Sequence, residues 1–204
     1  MSGIEVIGLI SAIIGIIDGA SKLYKAIENT SHLPPAFREV AQRLPLVKDI
    51  LQTTETRLQK YPADTSTYTA IQPTAESCKD GAERLRTILE DLAAQPNASR
   101  VERYRLAIRR LGKESKVEEL MKRMLEDVQL LAANQAVKAV GEEKIEELIA
   151  AVKDLERVPP SVPDGPRFTH NGIGDQFNNT SRGTQNINTG EGQQYVAGSM
   201  NFSK

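Results

Sequence analysis

The 204-residue sequence predicts an all-α fold: a bundle of about five to six helices, followed by a proline-rich linker and a tail of nonapeptide repeats. Three observations predict it. Apolar residues recur at spacings of three and four up to about residue 157, prolines cluster directly afterwards, and glycine and glutamine recur every nine residues near the C-terminus. We therefore divide the chain into a helical domain at 1–157, a linker at 158–173 and a repeat segment at 174–204.

Local signals predict where the helices begin and end. Three Ser-x-x-Glu sequences are typical of helix starts, because the serine takes an unpaired N–H while the glutamate reaches back to the cap: Ser2 with Glu5, Ser99 with Glu102, and Ser115 with Glu118. Breakers mark further boundaries, with Pro34-Pro35 at a start, Tyr61-Pro62 and Gln95-Pro96-Asn97 at ends, and Gly112 and Gly141 where helices stop. Pro45 lies inside the second helix and predicts a kink there.

Two late segments have the clearest amphipathic pattern. Each places one apolar stripe along a helix: Val117, Leu120, Met124, Val128 and Leu131 in the first, and Ile145, Leu148, Val152 and Leu155 in the second. Because such stripes must be buried, the helices should pack together as a bundle.

The first helix contains an uncharged run from Val6 to Ile17. Twelve residues are fewer than the roughly 20 that span a bilayer, and a run of this length is more typical of a buried core helix. However, small residues recur at close spacing, which allows tight helix packing in lipid: Gly8, Ser11, Ala12, Gly15 and Gly19. Two interpretations stay open, a core helix and a helix released for membrane binding or self-association.

The composition changes after Arg157. Four prolines in the nine residues 158–166 predict an extended, semi-rigid spacer. Beyond it, 22 of the 34 residues from Asn171 to Lys204 are Asn, Gln, Gly, Thr or Ser, and the four charges cancel. A segment of this composition cannot bury enough apolar surface to fold alone, so the monomeric tail is expected to be disordered.

Three copies of a nine-residue unit fill the tail, beginning at Gly174, Gly183 and Gly192. A unit this short is stabilised by stacking, and matched amides with an apolar residue near each glutamine favour cross-β assembly. The alternative is a flexible low-complexity tail. The candidate amyloid residues are Gly174, Gln176, Phe177, Asn179, Thr180, Gly183, Gln185, Ile187, Asn188, Thr189, Gly192, Gln194, Tyr195 and Val196.

These motifs carry a family resemblance. The Gly-x-Gln repeats, Asn178-Asn179-Thr180 and Gln194-Tyr195 resemble the sigma-type (SesB-like) amyloid motif of fungal death-pathway proteins. The segment from Gly8 to Gly19, with Leu33–Arg38 and Arg43–Val47, resembles the SesA or HeLo-like domain at the front of fungal NACHT and other P-loop NTPase receptors. That domain also occurs in small stand-alone effectors.

The resemblance implies a signalling relay. An NTPase receptor with a similar motif would oligomerise and seed the tail of this chain, which would assemble with itself; the helical domain would then act on membrane lipid through its N-terminal helix. It also implies a cytoplasmic protein that moves to the plasma membrane on activation. The sequence has no Gly-x-x-x-x-Gly-Lys-Ser/Thr motif, so it resembles the receiving partner. The alternative is a non-toxic adaptor or decoy that only recruits partners.

A cluster of cations lies in the middle of the chain: Arg103, Arg105, Arg109, Arg110 and Lys113. Such a cluster could bind anionic lipid headgroups. The alternative, which the charge pattern favours, is a solvated helix face paired with Glu102 and Glu114. Nucleic acid is not an expected partner, because Lys plus Arg (26) and Asp plus Glu (27) nearly balance.

Enzymatic activity is not expected. Cys78 is the single cysteine, and His32 and His170 lie in a predicted loop and in the predicted linker. No third residue can be named that would orient a Cys–His pair, and no spacing is typical of a metal site. We therefore predict no catalytic residue, no cofactor and no metal.

Overall fold

The computed structural model describes residues 3–28, 33–94, 99–134 and 137–162. These ranges contain six α-helices: α1 (Gly3–Glu28), α2 (Pro35–Lys60), α3 (Thr65–Ala93), α4 (Arg100–Leu111), α5 (Val117–Ala133) and α6 (Glu142–Glu156). A short 3-10 turn at Lys113–Ser115 joins α4 to α5, and none of these described residues lies in a strand. The all-α prediction is confirmed.

Four of the helices form a closed ring around the core. Helix α1 packs against α2 and α3, and α5 packs against the same two helices, so α1 and α5 lie on opposite sides of the ring. Helix α4 packs on α3, and α6 packs on α5 and α2. The described residues up to Val162 belong to one compact unit.

The predicted apolar stripes lie in the core. The stripe of α5 is 0–1% exposed at all five positions from Val117 to Leu131. In α6, Leu148 and Leu155 are buried, while Ile145 and Val152 are half-buried against the core. The spacing of three and four therefore located both helices and their buried faces.

Helix α1 is part of the core along one side. It buries eight residues: Val6, Ile10, Ile13, Ile14, Ile16, Ile17, Ala20 and Ile27. These residues face α2 and α3, so α1 supplies one complete wall of the ring.

The predicted ends at Tyr61 and Gly112 are confirmed, and the end predicted at Gly141 needs correction. Tyr61 caps the C-terminus of α2, and Gly112 ends α4 with a φ of 98°, a conformation that glycine adopts without strain. Gly141, in contrast, precedes α6, and α5 already ends at Ala133. Pro45 lies inside α2, as expected, and Pro73 lies inside α3; the kink expected at Pro45 stays a prediction.

The serine caps predicted for α4 and α5 do not form as expected. Ser99 occupies the N-cap of α4, but its side chain makes no capping hydrogen bond. Ser115 lies in the 3-10 turn and donates to the carbonyl of Leu111, so Lys116 is the N-cap of α5. The reason is tertiary: the Tyr104 hydroxyl already accepts a hydrogen bond from the Val117 amide. Ser2 lies outside the described residues.

Candidate functional site

Three sets of described residues could carry function. The first is the small-residue face of α1: Gly8, Ser11, Ala12, Gly15 and Gly19. The second is the basic face of α4, which comprises the predicted cations Arg103, Arg105, Arg109, Arg110 and Lys113. The third, which the sequence did not predict, is the C-terminal junction of Tyr104, Glu118 and Ser161. The fourteen candidate amyloid residues between Gly174 and Val196 lie outside the described residues.

The small-residue face of α1 points away from the bundle. Gly8, Ser11, Ala12 and Gly15 are exposed, and Gly19 is half-buried. A Cβ atom placed on Gly8 or Gly15 would meet nothing within 4 Å, and one on Gly19 would lie 3.7 Å from Cδ of Arg86. These residues therefore do not mediate close helix packing within the monomer.

Helix α1 thus has two faces with different roles. Its aliphatic side is buried, as expected of a core helix, while the small residues leave a smooth, uncharged strip in contact with solvent. Among the described residues, α1 is the one helix that is long and apolar enough to cross a membrane, and 33% of its most apolar window is buried. The buried side of α1 therefore fits the interpretation as a core helix, and its exposed side fits the interpretation as a helix for membrane binding or self-association.

The structure brings the predicted cations of α4 onto its outer side. Arg105, Arg109, Arg110 and Lys113 are exposed, and Arg103 is half-buried with Nη1 donating to the Asp91 carbonyl at 3.0 Å. Part of the charge is balanced locally. Arg110 pairs with Asp91, and Arg105 lies 3.7 Å from Glu102.

Two details of the basic face differ from the sequence-based expectation. Glu114 pairs with Arg84 of α3 at 3.5 Å, so its ion pair is not with a cation of α4. Leu106, which the sequence pattern did not single out, lies exposed among the cations. Beside it, the ends of α3 and α4 form a shallow cleft of about 350 Å³, lined by Asp91, Ala94, Arg103, Leu106, Ala107 and Arg110.

The C-terminal junction is a buried hydrogen-bond network. The Tyr104 hydroxyl lies 2.6 Å from Oγ of Ser161 and accepts from the Val117 amide at 3.0 Å. The Ser161 amide donates to Oε1 of Glu118 at 2.9 Å. Ser161 and Glu118 are each 7% exposed, and burial raises the pKa of Tyr104. The Tyr104 ring also packs edge-on against Phe37 of α2, with ring centroids 4.8 Å apart.

The junction lies in residues that we predicted to be linker. The structure packs Val158 and Val162 against the core and buries Ser161 between them, so ordered packing continues five residues beyond position 157. The proline-rich composition concealed this contact. A usable signal was present, since Val158 and Val162 are spaced four apart, like residues of the α6 stripe before them.

Cys78, which we considered as a catalytic nucleophile, has the surroundings of a core residue. Cys78 is buried between α3 and α5, and burial, followed by the charge of Asp127, raises the pKa of its thiol. The thiol therefore stays protonated in the folded bundle. Within the described ranges, no three His, Cys, Asp or Glu residues are grouped so that they could hold a metal ion. His32 and His170 lie outside those ranges.

Comparison with known families identifies both parts of the chain. The SesA family model, described as the N-terminal domain on NACHT_NTPase and P-loop NTPases, matches residues 10–131. A second model, the sigma domain on NACHT-NTPases, matches residues 165–203. Helix α6 and Ser161 lie between the two matches. Neither a curated protein nor a solved structure matches the chain. Since the SesA match covers more than half of its length, the protein belongs to the SesA family and carries a C-terminal sigma segment.

Proposed function

We propose that this protein is a programmed-cell-death (incompatibility) effector that an NTPase receptor activates by prion-like amyloid templating. The observation that carries the proposal is the pairing of two NACHT-associated segments, a SesA domain at 10–131 and a sigma segment at 165–203, on one chain. The SesA domain supplies the folded bundle, and the sigma segment supplies the repeats. A receptor carrying a similar repeat is the partner that this pairing fits.

The tail is the proposed receiver of the signal. Its three repeats place glycine and glutamine at equal positions, so each molecule offers the same edge to the next. Stacked amides and apolar side chains stabilise cross-β assembly, and low net charge removes the usual repulsion. A receptor oligomer would supply the first stack, and copies of this chain would extend it.

The bundle is the proposed executioner, acting on the plasma membrane through α1 after the cytoplasmic protein has been seeded. Releasing α1 exposes seven buried Val and Ile side chains. At about 1.5–3 kcal/mol each, release costs roughly 10–20 kcal/mol. That is as large as the whole unfolding free energy of a typical domain, about 5–15 kcal/mol. Release must therefore be coupled to insertion of the same side chains into lipid.

The burial of the aliphatic side of α1 also favours a second candidate function. Because α1 forms a wall of the ring, a bundle that never opens would keep its core intact. The protein would then be a non-toxic adaptor or decoy that recruits partners through the tail and the outer surface of the bundle. The two functions differ in whether α1 enters the membrane.

One experiment separates these possibilities. Fibres grown from peptide 168–204 are added to the full chain together with dye-filled vesicles, and both tail assembly and dye leakage are followed. Gly15→Glu places a charge on the exposed face of α1, where a Cβ meets no neighbour, so the bundle should fold normally. At the centre of a bilayer a charge costs about 2.5–3.5 kcal/mol, so leakage should fall strongly while assembly persists.

Gly141→Glu is the matched control. Gly141 is also exposed, a Cβ there also meets no neighbour, and it precedes α6, away from α1. This variant should leak like the unmodified chain. Equal leakage from Gly15→Glu would rule out the α1 mechanism and favour the adaptor. A peptide that stays soluble, without the reflections near 4.7 and 10 Å that stacked strands and packed sheets give, would rule out the relay.

A further inference from the structure

The basic face of α4 combines charge with an exposed apolar side chain. Leu106 is 57% exposed, and its neighbours three and four positions away include Arg103, Arg109 and Arg110. Residues at these spacings lie side by side on a helix. Leu106 therefore projects between three arginines, and Glu102, which lies 3.7 Å from Arg105, is the fourth neighbour at these spacings.

The other exposed large apolar side chains of the described residues differ in this respect. Ile4 begins α1 and has only uncharged residues three and four positions further along. Tyr61 is covered by cations, with the Arg57 guanidinium 4.5 Å and the Lys60 ammonium 5.3 Å from its ring centroid. Leu130 of α5 is 63% exposed, but its neighbours at these spacings are acidic on one side and neutral on the other. Leu106 alone among them lies uncovered between arginines.

Part of the positive charge on this face is not neutralised. Within the described residues, Arg109 and Lys113 have no ion-pair partner, while Arg110 pairs with Asp91 and Arg105 lies near Glu102. Many other cations of the described bundle are paired within their own helix, as Lys79 is with Glu83 and Arg86 with Glu90. The basic face therefore attracts anions from outside the molecule.

We propose that the basic face of α4 binds the surface of an anionic phospholipid bilayer, with Leu106 entering the boundary between headgroups and acyl chains. Arg109, Arg110 and Lys113 would contact lipid phosphates, and the cleft beside Leu106 places Arg103 within the same site. A single leucine among long cationic side chains suits an interface where charge stays in the headgroup layer. A protein partner is less well matched, because the residues of this face include no aromatic anchor.

This site differs from the one in α1. It is formed in the closed bundle, with α1 packed, and needs neither tail assembly nor release of a helix. It would hold the resting or newly seeded protein at an anionic surface before α1 acts. Its test therefore uses the full chain without fibres, and failure of the relay would leave the result unaffected.

Because the chain has no tryptophan, Leu106→Trp supplies one fluorophore at the site. Its emission should shift to the blue with vesicles that contain phosphatidylserine, and not with pure phosphatidylcholine. Leu130→Trp is the matched control, since Leu130 is similarly exposed but lies among acidic and neutral residues. Its emission should stay unchanged. No shift at position 106, or an equal shift at both positions, would overturn the proposal.

Charge reversal tests the cations. Arg109→Glu and Lys153→Glu change the net charge equally at exposed positions on different helices. One cation near an anionic surface contributes about 1 kcal/mol, so Arg109→Glu should weaken vesicle binding by about fivefold to thirtyfold. The Lys153→Glu variant should bind vesicles nearly as well as the unmodified chain does. Added salt should weaken vesicle binding by the unmodified chain and by both variants.

Two outcomes would overturn the lipid assignment. One is equal weakening of vesicle binding by both charge reversals, which would show that only the net charge matters. The other is a blue shift of the Leu106→Trp variant that grows with protein concentration in the absence of vesicles. That result would make a second copy of the chain the occupant of this face.

Discussion

Ser161 is buried, and both its hydroxyl and its backbone amide are hydrogen-bonded to helices of the bundle. Its hydroxyl meets Tyr104 of α4, and its amide donates to Glu118 of α5. Tyr104 in turn accepts from the first amide of α5, which a serine cap would otherwise serve. A single residue at the edge of the sigma segment therefore joins α4 and α5, and the remainder of the chain continues from this point.

Removing one partner of this buried network should lower the free energy of unfolding by more than removing an ordinary surface hydrogen bond does. Tyr104→Phe leaves the Val117 amide and the Ser161 hydroxyl without their partner in a buried site, so the free energy of unfolding should fall by about 1–3 kcal/mol. Ser161→Ala should cost about 1 kcal/mol, and the two changes together should cost less than their sum. Urea denaturation measures all three.

Thr53→Ala is the control for a lost hydroxyl. The Thr53 hydroxyl is exposed and bonds only to the Asp49 carbonyl of its own helix, so its removal should change stability by less than about 0.5 kcal/mol. If Tyr104→Phe and Ser161→Ala unfold at the same urea concentration as Thr53→Ala, the junction does not stabilise the bundle.

At the scale of elements, the sequence predicted features that depend on periodicity and missed those that depend on a distant partner. The stripes from Val117 and from Ile145 located α5 and α6, because burial of one face is a local property of spacing. The cap at Ser115 was wrong, because Tyr104 serves α5 from a different helix. Ser161 was assigned to the linker for the same reason: its partners lie 43 and 57 residues earlier.

The small residues of α1 were identified from the sequence, but their orientation was not. Spacing alone places Gly8 and Gly15 on a common side of the helix; it does not decide whether that side meets a neighbouring helix or solvent. The buried side is set by the aliphatic residues, which need α2 and α3 as partners. The small residues are consequently left outside.

This orientation leads to opposite expectations for two glycines within helices. Gly15→Ala meets no atom within 4 Å, so it should raise the free energy of unfolding by about 0.5–1 kcal/mol through helix propensity alone. Gly81 of α3 differs, because its Cβ would lie 3.0 Å from Cγ of Met124 on α5. Crowding there should cancel or reverse the gain. Thermal or urea unfolding of both variants checks this, and a larger gain at Gly81 than at Gly15 would contradict the close packing of α3 against α5 at Gly81.

At the scale of the whole molecule, α1 is linked to α5 through α2 and α3, and also through α4, because Nη1 of Arg100 donates to the Ile27 carbonyl at 2.9 Å. The sigma segment comes after a junction built on α4 and α5, whereas the proposed membrane helix is on the opposite side of the ring from α5. If a signal received by the tail releases α1, as proposed, one wall of the ring is lost. Loss of that wall would admit water to the core in which Cys78 is buried.

The single cysteine makes that opening measurable. In the closed bundle Cys78 is 0% exposed and burial raises its pKa, so a thiol reagent should label it only through opening of the fold. With an unfolding free energy of about 5–15 kcal/mol, labelling should be at least about a thousandfold slower than that of a free thiol. Seeding with fibres of peptide 168–204 should raise the rate by orders of magnitude if α1 leaves the ring.

A chain with Cys78→Ala and Ser66→Cys is the control, because position 66 is exposed at the start of α3 and should label quickly in both states. A decrease in its labelling after seeding would show that fibres simply exclude the reagent. If fibres form, the control labels quickly and Cys78 stays protected, the ring remains closed during assembly. The tail then recruits an intact bundle, which is the behaviour of an adaptor, and the buried side of α1 is a permanent part of the core.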